Sequence, residues 1–261
     1  MEKIKNQLEA IQTIAIKAGE AIMNIYLDPA EDFSIEQKED NSPLTKADLA
    51  ANKIICDHLE KLSPSYPIIS EENKLISYDE RKGYEYFWLV DPLDGTKEFI
   101  KKNGEFTVNI ALIHKQRPVL GIVYVPAKDV LFYGMEGMGA YKISNNITTK
   151  VDSGFFRTDE SFLTIVCSRS HLNEETNAFI SKFDQHQKIS KGSSLKFLIL
   201  AEGQAQVYPR LAPTMEWDTA AADAILRNAG GSVIDYNTQK PLLYNKEDML
   251  NPHFIAYARK V

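Results

Sequence analysis

Two aspartates stand three residues apart where an apolar run ends: Phe87-Trp88-Leu89-Val90 leads into Asp91-Pro92-Leu93-Asp94-Gly95-Thr96-Lys97-Glu98-Phe99. A run that stops in acid, proline and glycine reads as a buried strand entering a turn. In open α/β sheets ligands collect outside strand ends, and residues 95–98 can start a short helix whose first N–H groups point outward. Two carboxylates beside free amide donors have the chemistry to hold a divalent cation and a phosphate together. Asp-x-x-Asp-Gly is also an ordinary exposed turn, in which Asp bonds its own backbone and Gly takes positive φ. The rest of the chain has to decide between the two.

Other acids sit at comparable places. Glu71 and Glu72 end the short apolar strand expected at 66–70, Asp48 follows Thr45 as in a capping box, and Asp218 falls in the first turn of a helix expected at 217–228. Each has a structural alternative: a solvated Glu pair, a helix cap, or an acid favoured by the helix dipole by about 0.3–1 kcal/mol. Lys191-Gly192-Ser193-Ser194-Leu195-Lys196 opens another helix with hydroxyls and cations, and Tyr208-Pro209-Arg210 ends a strand in a guanidinium. Together they could hold a second anion. Gly134, Gly137 and Gly139 lack a phosphate-loop spacing and read as turn glycines.

The elements that must position these residues follow from periodicity. Ile4, Leu8, Ile11, Ala15, Ala18, Ile22 and Ile25 mark a long amphipathic helix ending near Asp28-Pro29, followed by weak alternation at 33–37 and a polar turn at 39–43. Leu49, Ile54, Ile55, Leu59 and Leu62 give a second helix before Pro64. Residues 73–85 are polar and read as a mobile excursion leading into the Phe87 strand. Strands at 107–113, 119–125 and 130–133 form an antiparallel meander. The polar stretch 144–160 marks a domain boundary, which gives an α+β domain at 1–150 and an α/β domain at 151–261. The second contains strands at 162–167, 205–208, 232–235 and 254–257 and helices at 173–183, 193–201 and 217–228.

With 261 residues, 44% hydrophobic and 25% charged, the chain can bury a substantial core, and its net charge of −6 argues against a general nucleic-acid binder. Cys56 and Cys167 match no zinc spacing and read as core thiols of a reducing compartment. The polar N-terminus is no secretory signal, and no apolar run approaches about 18 residues. The expectation is a cytoplasmic protein, compatible with peripheral contact on the cytoplasmic side of the inner membrane. His58, His114, His171, His186 and His253 lie outside every motif.

Taken together, Glu71 after an apolar strand, Asp91-Pro-Leu-Asp-Gly-Thr, and Trp217-Asp218 before a small-residue helix form a three-part pattern spanning nearly the whole chain. The pattern resembles the lithium-sensitive inositol monophosphatase superfamily. Asp94-Gly-Thr-Lys-Glu-Phe, Gly192-Ser-Ser-Leu-Lys-Phe, Tyr208-Pro-Arg and Glu216-Trp-Asp-Thr-Ala-Ala resemble its CysQ-type 3′(2′),5′-bisphosphate nucleotidases. The resemblance implies a layered α-β-α-β-α sandwich, the inositol monophosphatase / fructose-1,6-bisphosphatase-like sugar phosphatase fold. It implies two or three Mg²⁺ ions on Glu71, Asp91, the Leu93 carbonyl, Asp94 and Asp218. Glu71, Thr96 and Asp48 would be catalytic, with Thr96 and Asp48 orienting water and accepting its proton. Substrate would meet Glu71, Leu93, Asp94, Gly95, Thr96 and Asp218, with Ser193, Ser194, Lys196 and Arg210 holding the nucleotide. The implied reaction removes the 3′-phosphate of adenosine 3′,5′-bisphosphate or its sulfated relative, giving AMP and phosphate in sulfur assimilation, by a monomer or homodimer. An inositol monophosphatase or sugar bisphosphatase would keep the same metal residues and differ in the pocket. A non-catalytic binding protein on this scaffold is expected to have lost one of Glu71, Asp91, Asp94, Thr96 or Asp218; all five are present.

Overall fold

The computed structural model describes residues 2–28, 36–37, 43–157, 162–169 and 173–261. Pro29, the expected alternation at 33–35, the turn at 39–42, residues 158–160 and His171 lie outside the described residues.

The largest element is a seven-stranded sheet of Ile68–Ser70, Tyr86–Asp94, Thr107–His114, Arg117–Val125, Val130–Met135, Gly139–Ser144 and Ile147–Val151, hydrogen-bonded in that order. The first pair is parallel and the others antiparallel, so the expected meander is present with two further strands. Alternate residues feed different cores. Trp88, Val90, Ile110, Leu112 and Ile122 pack with Ile11, Ala15, Ile22 and Ile55 of the helices Leu8–Leu27 and Lys46–Leu59. Phe87, Leu89, Ala111, Ile113 and Val123 pack with Leu198, Ala221 and Ile225 on the opposite side. Because both faces are covered, these strands read in sequence as unbroken apolar runs rather than alternating ones.

The second face is covered by the helices Leu195–Ala201 and Trp217–Asn228, and beyond them lies a five-stranded sheet. Its order is His186–Lys191, Leu163–Ser168, Val207–Arg210, Phe254–Tyr257 and Ser232–Asp235. The helix Glu174–Ile180 closes its outer side through Phe179 and Ile180. The result is the expected α-β-α-β-α sandwich.

The helix Trp217–Asn228 sits unusually close to the large sheet. A Cβ on Gly121 would lie 2.0 Å from the Ala221 carbonyl oxygen, and one on Gly134 would lie 2.7 Å from Ile225 Cα. Ala221 and Ala224, which face these glycines, carry only methyl side chains, and this lets the helix sit that close. Gly134 is therefore a close-approach residue inside a strand and not a turn glycine.

Three more expectations change. Within the polar stretch 144–160, residues Ile147–Val151 form the edge strand of the large sheet; they are mostly exposed, which is why they read as linker. The strand His186–Lys191, also at an edge, was hidden in the same way. Residues 73–85 are no free excursion, because Arg81 in the short helix Tyr78–Arg81 is buried and bonded to the chain near residue 246.

Candidate active site

The site is built where strands stop. Ser70 pairs with Val90 in the parallel register, and the Glu71 N–H continues the ladder to the Val90 carbonyl at 3.1 Å. Glu71 is thereby set next to Asp91. On a regular strand Asp91 and Asp94, three residues apart, would point to opposite faces. The strand bulges between them: Asp91 faces Asn109 and Asp94 faces Thr107, so three steps on one strand match two on its neighbour. The extra residue returns Asp94 to the side of Asp91. The Leu93 N–H donates to Asp91 Oδ1 at 3.1 Å and fixes that carboxylate. Gly95 follows with φ +97°, a left-handed conformation that strains any other residue.

Asp218 arrives from the other half in the first turn of the closely docked helix. The Met215 N–H donates to its Oδ2 at 2.9 Å, and the Ser194 hydroxyl donates to its backbone carbonyl at 3.2 Å. Carboxylate oxygens of Glu71, Asp91 and Asp218 all lie within 4.8 Å of one another. Two unit charges about 4 Å apart at an effective dielectric near 20 repel by about 4 kcal/mol. Burial first, then the neighbouring acids, pushes the carboxyls of both Asp91 and Asp218 above the usual range. An all-oxygen set held in such repulsion fits a hard divalent cation, which relieves it. Asp94 lines the same cleft but stands outside this trio; its Oδ2 accepts from the Ser193 hydroxyl at 2.9 Å and Asn109 Nδ2 at 3.3 Å.

Asp48 caps its helix and also meets Thr96. Its Oδ2 completes a capping box by accepting from the Thr45 N–H, while its Oδ1 accepts from Thr96 Oγ1 at 3.1 Å. Thr96 also lies 3.4 Å from the Leu93 carbonyl oxygen.

The cleft measures about 1030 Å³ and is lined by cations as well as acids. Lys196 and Arg210 line it, each 7% exposed. Lys196 stands 5.5 Å over the Tyr208 ring, and burial lowers its pKa to about 8. Arg210 Nη2 donates to the Pro213 carbonyl at 2.7 Å, but its buried Nε has no hydrogen-bond partner. An orphaned guanidinium donor in a cleft wall is costly unless an anion meets it.

Ser193 and Ser194 separate. Ser193 lines the cleft with φ +51°, and its hydroxyl is 2.6 Å from Thr107 Oγ1. Ser194 is buried, accepting from Asn109 Nδ2 at 3.0 Å and donating to the Asp218 carbonyl, so it braces the two halves and does not line the cleft. Asn109, Thr107 and Glu105 were not anticipated. Glu105 accepts from Lys191 at 3.0 Å, Arg169 at 2.9 Å and the Gly192 N–H at 2.8 Å, and holds the turn that carries Ser193. Polar residues inside the apolar run 107–113 were the available signal. Of the described histidines none lines the cleft, and Cys56 and Cys167 are free thiols.

Comparison with known proteins agrees with the geometry. The profile of the Inositol monophosphatase family matches residues 4–260. The chain is 45% identical over 248 residues to the 3′(2′),5′-bisphosphate nucleotidase CysQ of Escherichia coli K12, covering 95% of this chain and 98% of that protein. Among solved structures it is similar to CysQ from Bacteroides thetaiotaomicron, a bacterial member of the inositol monophosphatase family, with TM-score 0.86, 45% identity and 98% of both chains covered. It is also similar to the extragenic suppressor protein suhB from Bartonella henselae, with TM-score 0.75, 25% identity and coverage of 96% and 93%.

Proposed function

The chain belongs to the inositol monophosphatase family, and from that premise we propose that its cleft hydrolyses the 3′-phosphate of adenosine 3′,5′-bisphosphate, giving AMP and phosphate. The observation that carries this reading is that acids and buried cations share one cleft. The carboxylate trio and the buried Lys196 and Arg210 all line it. A substrate with one phosphate to be cleaved and a second to be held matches both, whereas a monophosphate leaves the orphaned Arg210 donor unmet. The bisphosphate nucleotidase names of the relatives support the same choice.

The acidic cluster would take two or three Mg²⁺ ions, which Glu71, Asp91, the Leu93 carbonyl, Asp94 and Asp218 would hold. When bound, magnesium supplies neutralisation of phosphate charge and a water of lowered pKa. Thr96 Oγ1 accepts a hydrogen bond from the attacking water and takes its proton while passing its own to Asp48 Oδ1, 3.1 Å away. The turn at Gly95 and Thr96 offers its amides to phosphate oxygens. As water oxygen bonds to phosphorus the bond to the ribose oxygen breaks, and that oxygen takes a proton from water; Asp94 is held in the cleft by Ser193 and Asn109. Lys196, Arg210 and Ser193 hold the remaining nucleotide and its 5′-phosphate.

In this account residues 1–150 contribute most ligands, and residues 151–261 contribute Asp218, Lys196 and Arg210. Among the described residues no helix is long and apolar enough to cross a membrane. Action in the cytoplasm on a by-product of sulfate assimilation belongs to the same proposal. The test is phosphate release from adenosine 3′,5′-bisphosphate against adenosine 3′-monophosphate. This reading expects kcat/KM to fall at least tenfold without the 5′-phosphate, and equal values for the two substrates would remove the role of Lys196 and Arg210.

A further inference from the structure

Arg81 lies on the connection between the two parallel strands that end in Glu71 and Asp91, and only 2% of it is exposed. Its guanidinium crosses to the second half of the chain. Nη1 donates to Asn245 Oδ1 and to the Lys246 carbonyl, both at 2.7 Å, and Nη2 to the Glu247 carbonyl at 2.8 Å. Nε reaches back to the Ile76 carbonyl at 3.3 Å, and Asn245 Nδ2 returns a bond to the Arg81 carbonyl at 2.8 Å.

The loop that Arg81 grips holds Glu216. The Asn245 and Lys246 N–H groups donate to the two oxygens of that carboxylate, and the Lys246 ammonium pairs with it. Glu216 is fully buried and directly precedes the helix whose first turn carries Asp218. The Glu216 carbonyl also accepts from the Thr219 hydroxyl at 3.2 Å. One continuous set of hydrogen bonds thus runs from the connection between the Glu71 and Asp91 strands to the start of the Asp218 helix.

Buried charged groups are held in place by their partners, since an unpartnered one is costly in a low-dielectric interior. Any slip of the Asp218 helix start against the first half would break several of these bonds at once. We propose that Arg81 is a positioning residue for the metal site. Acting through Asn245, Lys246 and Glu216, it fixes the gap between Glu71 and Asp218 and so sets divalent-cation affinity, without touching ion or substrate. The proposal rests on the metal-site reading above.

The test is Mn²⁺ titrated into the substrate-free protein and followed by EPR, with urea unfolding of each variant alongside. Arg81→Met is expected to weaken Mn²⁺ binding at least tenfold. Arg81→Lys and Asn245→Ala, which keep part of the set, should fall between it and the parent chain. At saturating Mg²⁺ the KM for the nucleotide should stay within about twofold in all three. A folded Arg81→Met chain with the parent's Mn²⁺ affinity overturns the proposal, even if its urea midpoint falls, because the role would then be structural only. If Arg81→Met does not fold, unchanged affinity in both milder variants overturns it equally. A parent chain that binds no Mn²⁺ overturns the metal-site reading itself, and the proposal with it.

Discussion

Thr96 Oγ1 donates to Asp48 Oδ1 across 3.1 Å, while the other oxygen of Asp48 accepts from the Thr45 N–H at 2.8 Å and the Thr45 hydroxyl at 2.6 Å. One buried carboxylate caps a helix with one oxygen and orients a hydroxyl at the cleft with the other. The two duties separate by mutation. Thr45→Ala should cost about 1 kcal/mol in urea unfolding, as loss of an N-cap does, with turnover kept within a few-fold. Asp48→Asn should lower phosphate release by about 10²–10⁴, the range for losing a general base. Equal loss of turnover in both variants would mean that Asp48 acts only through the helix.

Asp94 stands outside the carboxylate trio yet faces the same cleft, held by Ser193 and Asn109. An amide oxygen can accept both of those bonds, so Asp94→Asn should keep the fold and its urea midpoint. Phosphate release should nonetheless vanish, because the negative charge is gone. Near-normal release in that variant would remove Asp94 from the metal site.

Burial lowers Lys196 to about 8, so in the free protein its charge is lost as pH rises through that value. The profile of kcat/KM for adenosine 3′,5′-bisphosphate should accordingly decline above about pH 8. In Lys196→Arg the guanidinium stays charged, and this basic limb should disappear. Persistence of the same limb would assign it to another group.

The sequence made the metal end far more legible than its supports. Strand-ending acids at Glu71, Asp91 and Asp94 stood out because an apolar run breaks abruptly at each place. The bulge that lets Asp91 and Asp94 share a side was not legible, since register depends on the neighbouring strand. Asp48 was ambiguous for a physical reason: one of its oxygens caps a helix and the other meets Thr96 at the cleft. The burial of Ser194 was not legible, because a serine at a helix start looks the same whether it lines a cleft or meets a neighbouring strand. No motif marks Arg81 or Glu105, and only tertiary contact makes them buried anchors. The exposed edge strands at Ile147–Val151 and His186–Lys191 lacked the apolar content by which strands are read.

Asp91 and Asp218 carry pKa values raised first by burial and then by neighbouring acids. A carboxyl raised in the folded state supports folding below its unfolded value near 3.9, and that support is lost as pH rises through the folded value. In EDTA the parent chain should therefore lose more stability than Asp218→Asn as pH rises from about 4 towards neutrality. Added Mg²⁺ should reverse the loss at neutral pH through binding to the folded state. Parallel stability curves for the two chains in EDTA would show that the acids do not repel one another.

The central claim is that one cleft uses divalent cations to cleave a nucleoside bisphosphate. Its most direct measurement is phosphate release with Mg²⁺ from adenosine 3′,5′-bisphosphate and from inositol 1-phosphate, side by side, with and without EDTA. The account predicts clear preference for the nucleotide and no release in EDTA. Preference for the inositol ester, or release that survives EDTA, would contradict it.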